Sequence, residues 1–243
     1  MTKPSDVLPP IEEKRSYVQQ MFTDIAPRYD LMNRVMTLGQ DRMWRRTVIE
    51  LCNLPRYGRL LDVATGTGDI GYEALRRDLS VDVVGVDLAR EMMLRGRGKA
   101  GDLAFPFATT DALSLPFADN SFDAATSGFM MRNVIDIAAA FREQARVVKP
   151  GGRVVCLEIT LPRAPVFGPL FRFYFFKVVP LIGGALTGQR QAYTYLPHSA
   201  LKFPQPAALA QIMRAAGLRD VAYRLAMPGV AGIGTVAIHW GTK

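Results

Sequence analysis

The first chemistry in this 243-residue chain lies in three glycines and three carboxylates. In Leu60-Leu61-Asp62-Val63-Ala64-Thr65-Gly66-Thr67-Gly68-Asp69-Ile70-Gly71, the glycines fit G-x-G-x-x-G. Such a turn lets backbone approach a ligand at a helix N-terminus. Alone it suits a nicotinamide dinucleotide, S-adenosylmethionine or a plain tight turn. Asp69 separates these. A carboxylate directly after the second glycine repels a pyrophosphate, whereas S-adenosylmethionine carries an ammonium and a sulfonium and no phosphate. Asp87 closes Val83-Val84-Gly85-Val86-Asp87 about twenty residues past Gly66, the separation suited to a ribose diol. It equally suits the cap of the next helix. Asp111 precedes Ala112 and Leu113, an acid and an apolar platform that fit an adenine; the plain alternative is an acidic turn residue.

These residues need a scaffold that gathers strand ends. Apolar runs at 58–64, 81–86, 105–109, 122–127 and 153–159 read as strands. Helical patterns at 70–77, 89–99 and 136–148 alternate with them, and Val148-Lys149-Pro150-Gly151-Gly152 reads as a turn. The fold class is therefore α/β, a doubly wound Rossmann-like sheet with helices on both faces. Residues 10–56 read as helices interrupted at Pro27. Residues 161–200 break the alternation with five prolines around the apolar stretch Val166–Leu186. A helix at 205–216 and strands near 218–227 and 233–240 follow. Four parts are expected: an N-terminal helical cap (1–56), a cofactor-binding core (57–160), an apolar lid (161–204) and a C-terminal helix and hairpin completing the sheet (205–243).

Composition removes several classes. Apolar residues make up 49%, which predicts a packed core. No run of 18 uncharged apolar residues exists, so no spanning helix is expected. Residues 1–10 contain no apolar signal core. Two cysteines, Cys52 and Cys156, lack metal spacing, as do the two histidines, and no metal is expected. A reduced cytoplasmic setting follows, with the inner face of the membrane as the second option. The net charge of +8 is uneven: residues 161–243 hold nine Lys and Arg against a single acid.

Leu115-Pro116-Phe117-Ala118-Asp119-Asn120-Ser121-Phe122-Asp123 and Arg146-Val147-Val148-Lys149-Pro150-Gly151-Gly152 resemble class I S-adenosylmethionine-dependent methyltransferases. Tyr29-Asp30-Leu31-Met32-Asn33, Arg132-Asn133-Val134 and the segment from Cys156 to Phe176 narrow the resemblance. They are similar to the menaquinone/ubiquinone biosynthesis C-methyltransferases, over about residues 15–243. The resemblance implies a seven-stranded sheet with an antiparallel final hairpin strand. It implies S-adenosylmethionine as methyl donor and a prenylated quinol as substrate. Demethylmenaquinol is favoured by the apolar block at 163–188; the alternatives are 2-polyprenyl-6-methoxy-1,4-benzoquinol or another phenolic molecule. Thr67, Asp87, Asp111 and Ala112 match cofactor contacts. Asp62, Gly66, Gly68, Leu88 and Gly128 complete the expected cofactor set. Relatives often carry serine at Gly128, and Phe-Gly-Leu-Arg-Asn where this chain has Phe129-Met130-Met131-Arg132-Asn133.

Methylating a quinol carbon requires alignment with the methyl and stabilisation of a phenolate-like oxygen. Arg132 is expected to meet that oxyanion electrostatically, since a guanidinium stays charged. Asn133 is expected to hydrogen-bond a quinol oxygen and Tyr29 to orient it. The competing reading for Arg132 is a surface or dipole-neutralising charge, and for Tyr29 helix packing. His198, in a loop, reads as incidental. A nucleic-acid methyltransferase is disfavoured despite the basic charge: Ser127-Gly128-Phe129-Met130 follows the fourth strand, and no basic–aromatic interleaving stands in the middle. No nucleic-acid partner is expected. A non-catalytic quinone-binding protein would not need the cofactor acids. A homodimer and a peripheral contact with an anionic membrane are the open partners. In the second case Val166–Leu186 enters the interface while Arg163, Arg172, Lys177, Arg190 and Lys202 meet headgroups. The plainer reading packs the lid wholly on the protein.

Overall fold

A computed structural model describes residues 7–226 and 234–243. Residues 1–6, and the adjoining ends of the last two expected strands (227 and 233), lie outside the described residues. Seven strands form one sheet in the order β3-β2-β1-β4-β5-β7-β6. They are β1 Arg59–Val63, β2 Asp82–Asp87, β3 Phe107–Thr109, β4 Phe122–Gly128, β5 Val148–Ile159, β6 Arg219–Ala226 and β7 Val236–Thr242. The first five run parallel, and β7 is antiparallel to both neighbours. The expected fold class is observed.

Consecutive apolar residues serve opposite faces of the sheet. Leu61, Ala125 and Val154 pack with Phe141 of α6 (Ile137–Val147) and Leu209 and Met213 of α10 (Pro206–Ala215). Their chain neighbours Leu60, Ala124 and Val155 pack with Trp44 and Val48 of α3 (Asp41–Cys52) and Tyr72 of α4 (Asp69–Arg77). Runs with no polar alternation are what a sheet covered on both faces requires. Asp136 caps α6, accepting the Ala139 N–H at 2.9 Å. The order reverses between β1 and β4. Doubly wound sheets open a ligand crevice at that place, beyond the carboxyl ends of the strands.

The N-terminal part is helical on both sides of Pro27, as expected, while two other segments differ from the sequence reading for physical reasons. The stretch 148–152 is not a free turn. β5 begins at Val148, and Gly152 is pressed so close to the Asp123 carbonyl that a Cβ would lie 2.4 Å from it. The N-terminal part folds as α1 (Lys14–Ile25), a short turn holding Pro27, α2 (Tyr29–Thr37) and α3. The proline-rich segment is helical: α7 (Phe167–Phe173), a π turn (Tyr174–Val178), α8 (Val179–Thr187) and α9 (Arg190–Lys202). Pro169 falls in the first turn of α7, where a missing N–H costs little, and Pro180 stands just past the π turn, whose i→i+5 bonding already breaks the α ladder. Phe167–Thr187 runs on as one 21-residue rod of mean hydropathy 1.4, long and apolar enough by length and composition to cross a membrane. Arg172 and Lys177 interrupt the apolar run without interrupting the helix.

The rod is not wholly packed on the protein either. Phe175 and Val179 join Ile25, Met32, Leu161 and Tyr193 in a cluster that ties α1 and α2 to the rod and α9. Its other side is exposed.

Candidate active site

Two cavities meet above the strand ends. The first encloses about 880 Å³ of open space and the second about 950 Å³. Phe22, Tyr29 and Phe129 line both and so form a shared wall. Phe129 follows β4 with φ +57°, and Ala64 follows β1 with φ +54°. Non-glycine residues rarely adopt this backbone, and such positions gather at functional sites. The Phe129 N–H donates to the Leu157 carbonyl at 2.7 Å, which pins the turn to β5.

Gly66, Asp87, Leu88, Asp111, Ala112 and Gly128 of the expected cofactor set line the first cavity. Gly66 has φ +57°, and its N–H donates to Asp87 Oδ2 at 2.8 Å. Asp87 Oδ1 accepts the Ala89 N–H at 2.8 Å, so this carboxylate joins the glycine turn to α5 (Arg90–Arg97). Burial raises its pKa, and its backbone hydrogen bonds oppose that rise. Two carboxylate oxygens accept about four hydrogen bonds, leaving capacity for a diol. Asp111 Oδ1 accepts the Leu113 N–H, and Oδ2 pairs with Arg15 of α1 at 2.9 Å. Lys14 and Gln19 also tie α1 to the strand ends. Lys14 Nζ donates to the carbonyls of Arg132 and Val134, and Gln19 to that of Leu88.

Three expected contacts stand back from the cavity wall. The Thr67 hydroxyl donates to Asp30 Oδ1 at 2.7 Å and accepts from Lys99 Nζ at 2.8 Å. That network also holds Asp69, which pairs with Arg45 at 2.7 Å. Here Thr67 and the Asp30 of the Tyr29–Asn33 block brace the glycine turn. Gly68, at φ +80°, packs where a Cβ would meet the Tyr72 ring at 2.8 Å. Asp62 is buried beneath the turn and accepts from Thr65 at 2.7 Å and Thr126 at 2.9 Å.

Burial pushes the Asp62 pKa up to about 6, although both threonine hydrogen bonds pull it down. A carboxyl that binds its proton more readily folded than unfolded stabilises the native state fully below its unfolded pKa of about 4. That contribution is lost as pH rises through about 6. Asp62→Asn is therefore expected to gain on the wild type by on the order of 3 kcal/mol between pH 4 and pH 8. Urea unfolding of both proteins at the two pH values measures it; a difference independent of pH counts against the assignment.

The second cavity takes aromatic walls from α2, α3, the rod and α9, among them Trp44, Phe171, Tyr174, Phe175 and Tyr195. Arg132 lines it and is neither a surface nor a helix-end charge. Its Nη1 donates to Glu158 Oε2 at 3.0 Å and to the Phe129 carbonyl at 2.6 Å. Glu158, on β5, is 1% exposed and also accepts the Arg132 N–H. Arg132 Nε and Trp44 Nε1 are buried donors without a partner among the described residues. Burial of such a donor is costly unless something accepts from it. Asn133 lines the first cavity instead, and both ends of its amide are engaged: Nδ2 donates to the Phe129 carbonyl and Oδ1 accepts from Tyr195. It holds the loop's shape. Tyr29 sits in the shared wall, edge-on to Phe22, and burial raises its pKa. Met130 lines the first cavity, while Met131 is wholly core. His198 Nδ1 is bound to the Thr194 carbonyl and lines neither cavity.

Sequence reasoning missed Phe22, Trp44 and Glu158. Trp44 carried a signal, an indole N–H inside an apolar stripe, but that stripe reads equally as core.

Residues 10–243 match the ubiE/COQ5 methyltransferase family. A demethylmenaquinone methyltransferase of Roseiflexus sp. is 52% identical over 98% of this chain and 98% of its own length. Another protein of that name, from Deinococcus radiodurans, is 48% identical over 93% of this chain and 95% of its own length. Among solved structures, an S-adenosylmethionine-dependent methyltransferase of Thermotoga maritima aligns with a TM-score of 0.62. At 20% identity, over 92% of this chain and 98% of that one, it shows the fold. The chain belongs to the ubiE/COQ5 methyltransferase family.

Proposed function

We propose that the protein methylates a ring carbon of a prenylated quinol, demethylmenaquinol to menaquinol, with S-adenosylmethionine as donor. The carrying observation is the pair of adjoining cavities, one edged by Asp87 and Asp111 and the other apolar, aromatic and touched by one paired arginine. The relatives' shared name, demethylmenaquinone methyltransferase, supports the naphthoquinol over the benzoquinol. The four-part division into cap, core, lid and closing hairpin belongs to this reading.

The residues of the first cavity fit the donor. Asp87 accepts from its ribose hydroxyls, Asp111 from its adenine amine, and Ala112 and Leu113 flank the ring. A bound sulfonium supplies an electrophilic methyl group and leaves as a neutral thioether. The quinol hydroxyl loses its proton before the methyl adds, and in the second cavity Arg132 offers Nε to the resulting phenolate oxygen. Loss of the ring proton after transfer restores the aromatic quinol, so one proton passes to solvent overall. Glu158 fixes the guanidinium and keeps the pair neutral before reaction, so the apolar chamber tolerates it. Tyr29, Phe22 and Phe129 orient the ring between the chambers and keep water from the reacting carbon. The reading uses no metal and takes every named residue from one copy of the chain. It places the protein in the cytoplasm beside its membrane-dissolved substrate.

Incubation with S-adenosylmethionine and reduced demethylmenaquinone, beside 2-polyprenyl-6-methoxy-1,4-benzoquinol, tests it by mass spectrometry. One added methyl group on the naphthoquinol is expected. Methylation of the benzoquinol alone would reassign the substrate, and no product from either would overturn the reading.

A further inference from the structure

The outward side of the 21-residue rod is chemically odd for a water-facing helix. Val166, Leu170, Phe173 and Leu181 are 84%, 63%, 62% and 57% exposed at its start and along it. Arg172 and Lys177 are exposed among them, with Arg163 and Arg190 beyond the two ends. None of these four cations forms an ion pair among the described residues. No Asp or Glu occurs anywhere between Glu158 and Asp220. A solvated helix ordinarily mixes charges of both signs and keeps large apolar groups inward.

The inward side is committed elsewhere. Phe171, Tyr174, Phe175 and Val179 line the second cavity, and Tyr174 Oη donates to the Met36 carbonyl. Gly183 lies against the Tyr193 ring so tightly that a Cβ would sit 2.3 Å from it. A rod held along one side cannot leave to span a bilayer, despite its length. A second copy of this chain is a poor cover, because a two-fold contact would set this cationic face against itself.

We infer that the outward face of Phe167–Thr187 is an in-plane docking surface for an anionic lipid bilayer. Leu170, Phe173 and Leu181 enter the acyl boundary, and Arg172 and Lys177 meet headgroup phosphates. The apolar chamber then lies directly behind the docked helix, one side chain away from lipid. Only that last consequence, delivery of a lipid-dissolved substrate, rests on the proposed function; docking itself needs neither substrate nor methyl donor.

The test is sedimentation of the full chain with vesicles, in two compositions. One is phosphatidylcholine alone, and the other contains about one-third phosphatidylglycerol. Binding to the anionic vesicles is expected, weakening with added salt, with far less on the neutral ones. Arg172→Gln with Lys177→Gln should weaken anionic binding by roughly 25-fold, about fivefold per cation. Leu170→Ser with Phe173→Ser should weaken it by at least about 100-fold, the burial of two such side chains. Both double variants should melt like the wild type and methylate a short-tailed, water-soluble quinol at its rate. No binding to either vesicle, equal binding to both, or wild-type binding by both variants would overturn the inference. So would a solution dimer that Leu170→Ser with Phe173→Ser dissociates. Vesicle binding without any methylation would instead sink the proposed activity and leave the docking surface standing.

Discussion

Arg132→Ala is expected to lower turnover by roughly 10²–10³-fold, the usual cost of removing one hydrogen-bond donor from a catalytic oxyanion, here the phenolate that must form before the ring carbon attacks. The dissociation constant for S-adenosylmethionine should stay near its wild-type value, because Arg132 lines the aromatic chamber and not the one edged by Asp87. Calorimetry and turnover measured together make the separation visible. The single variant also strands Glu158, 1% exposed and bound to the Arg132 guanidinium at 3.0 Å. Breaking a buried pair from one side costs about 3–5 kcal/mol, so instability alone can depress the rate. Arg132→Ala with Glu158→Gln removes both charges. Its melting temperature should recover toward the wild type while turnover stays low. Full activity in the single variant would remove Arg132 from the chemistry. Recovery of activity along with stability in the double variant would make its role purely structural.

Asp87→Ala should act on the other chamber. Two hydrogen bonds to a charged group, at roughly 1.5–3 kcal/mol each, correspond to a loss of 10²-fold or more in cofactor affinity. The same carboxylate also tethers the N–H groups of Gly66 and Ala89, so the glycine turn loosens as well. Asp87→Asn keeps one acceptor oxygen and should fall between. Because burial raises the Asp87 pKa, wild-type affinity should weaken as pH falls through that raised value. The asparagine variant, with no proton to gain there, should lose that dependence. An unchanged dissociation constant in Asp87→Ala would sink the ribose assignment.

The sheet was legible because strand and helix periods alternate through residues 58–159, and because Gly66, Asp87 and Asp111 each stand at or just past a strand end. The rod was not, because its prolines imitate loop punctuation. Pro169 becomes harmless only once it stands in a first turn, and Pro180 only once it follows the π turn. The π turn then shifts the helical face midway, blurring any single stripe. Thr67 illustrates how local side-chain placement is. One residue beyond Gly66, its side chain points away from the chamber and into the Asp30–Lys99 network. The Arg132–Glu158 pair depends on β4 lying beside β5, a neighbour relation that no spacing within either strand encodes. Phe22 and Trp44 reach the site from helices whose packing angles are set by tertiary contacts alone.

The shared wall of Phe22, Tyr29 and Phe129 binds the two chambers in a single thermodynamic cycle. A ligand that shifts these rings from one side changes the fit on the other. The factor must be the same whichever ligand arrives first. Order of arrival can alter the speed of assembly but not the free energy of the ternary state. With the Phe129 N–H fixed to Leu157, the rings and not the backbone are left to carry that exchange. A partition three side chains wide thus makes donor and acceptor affinities mutual properties of one catalyst.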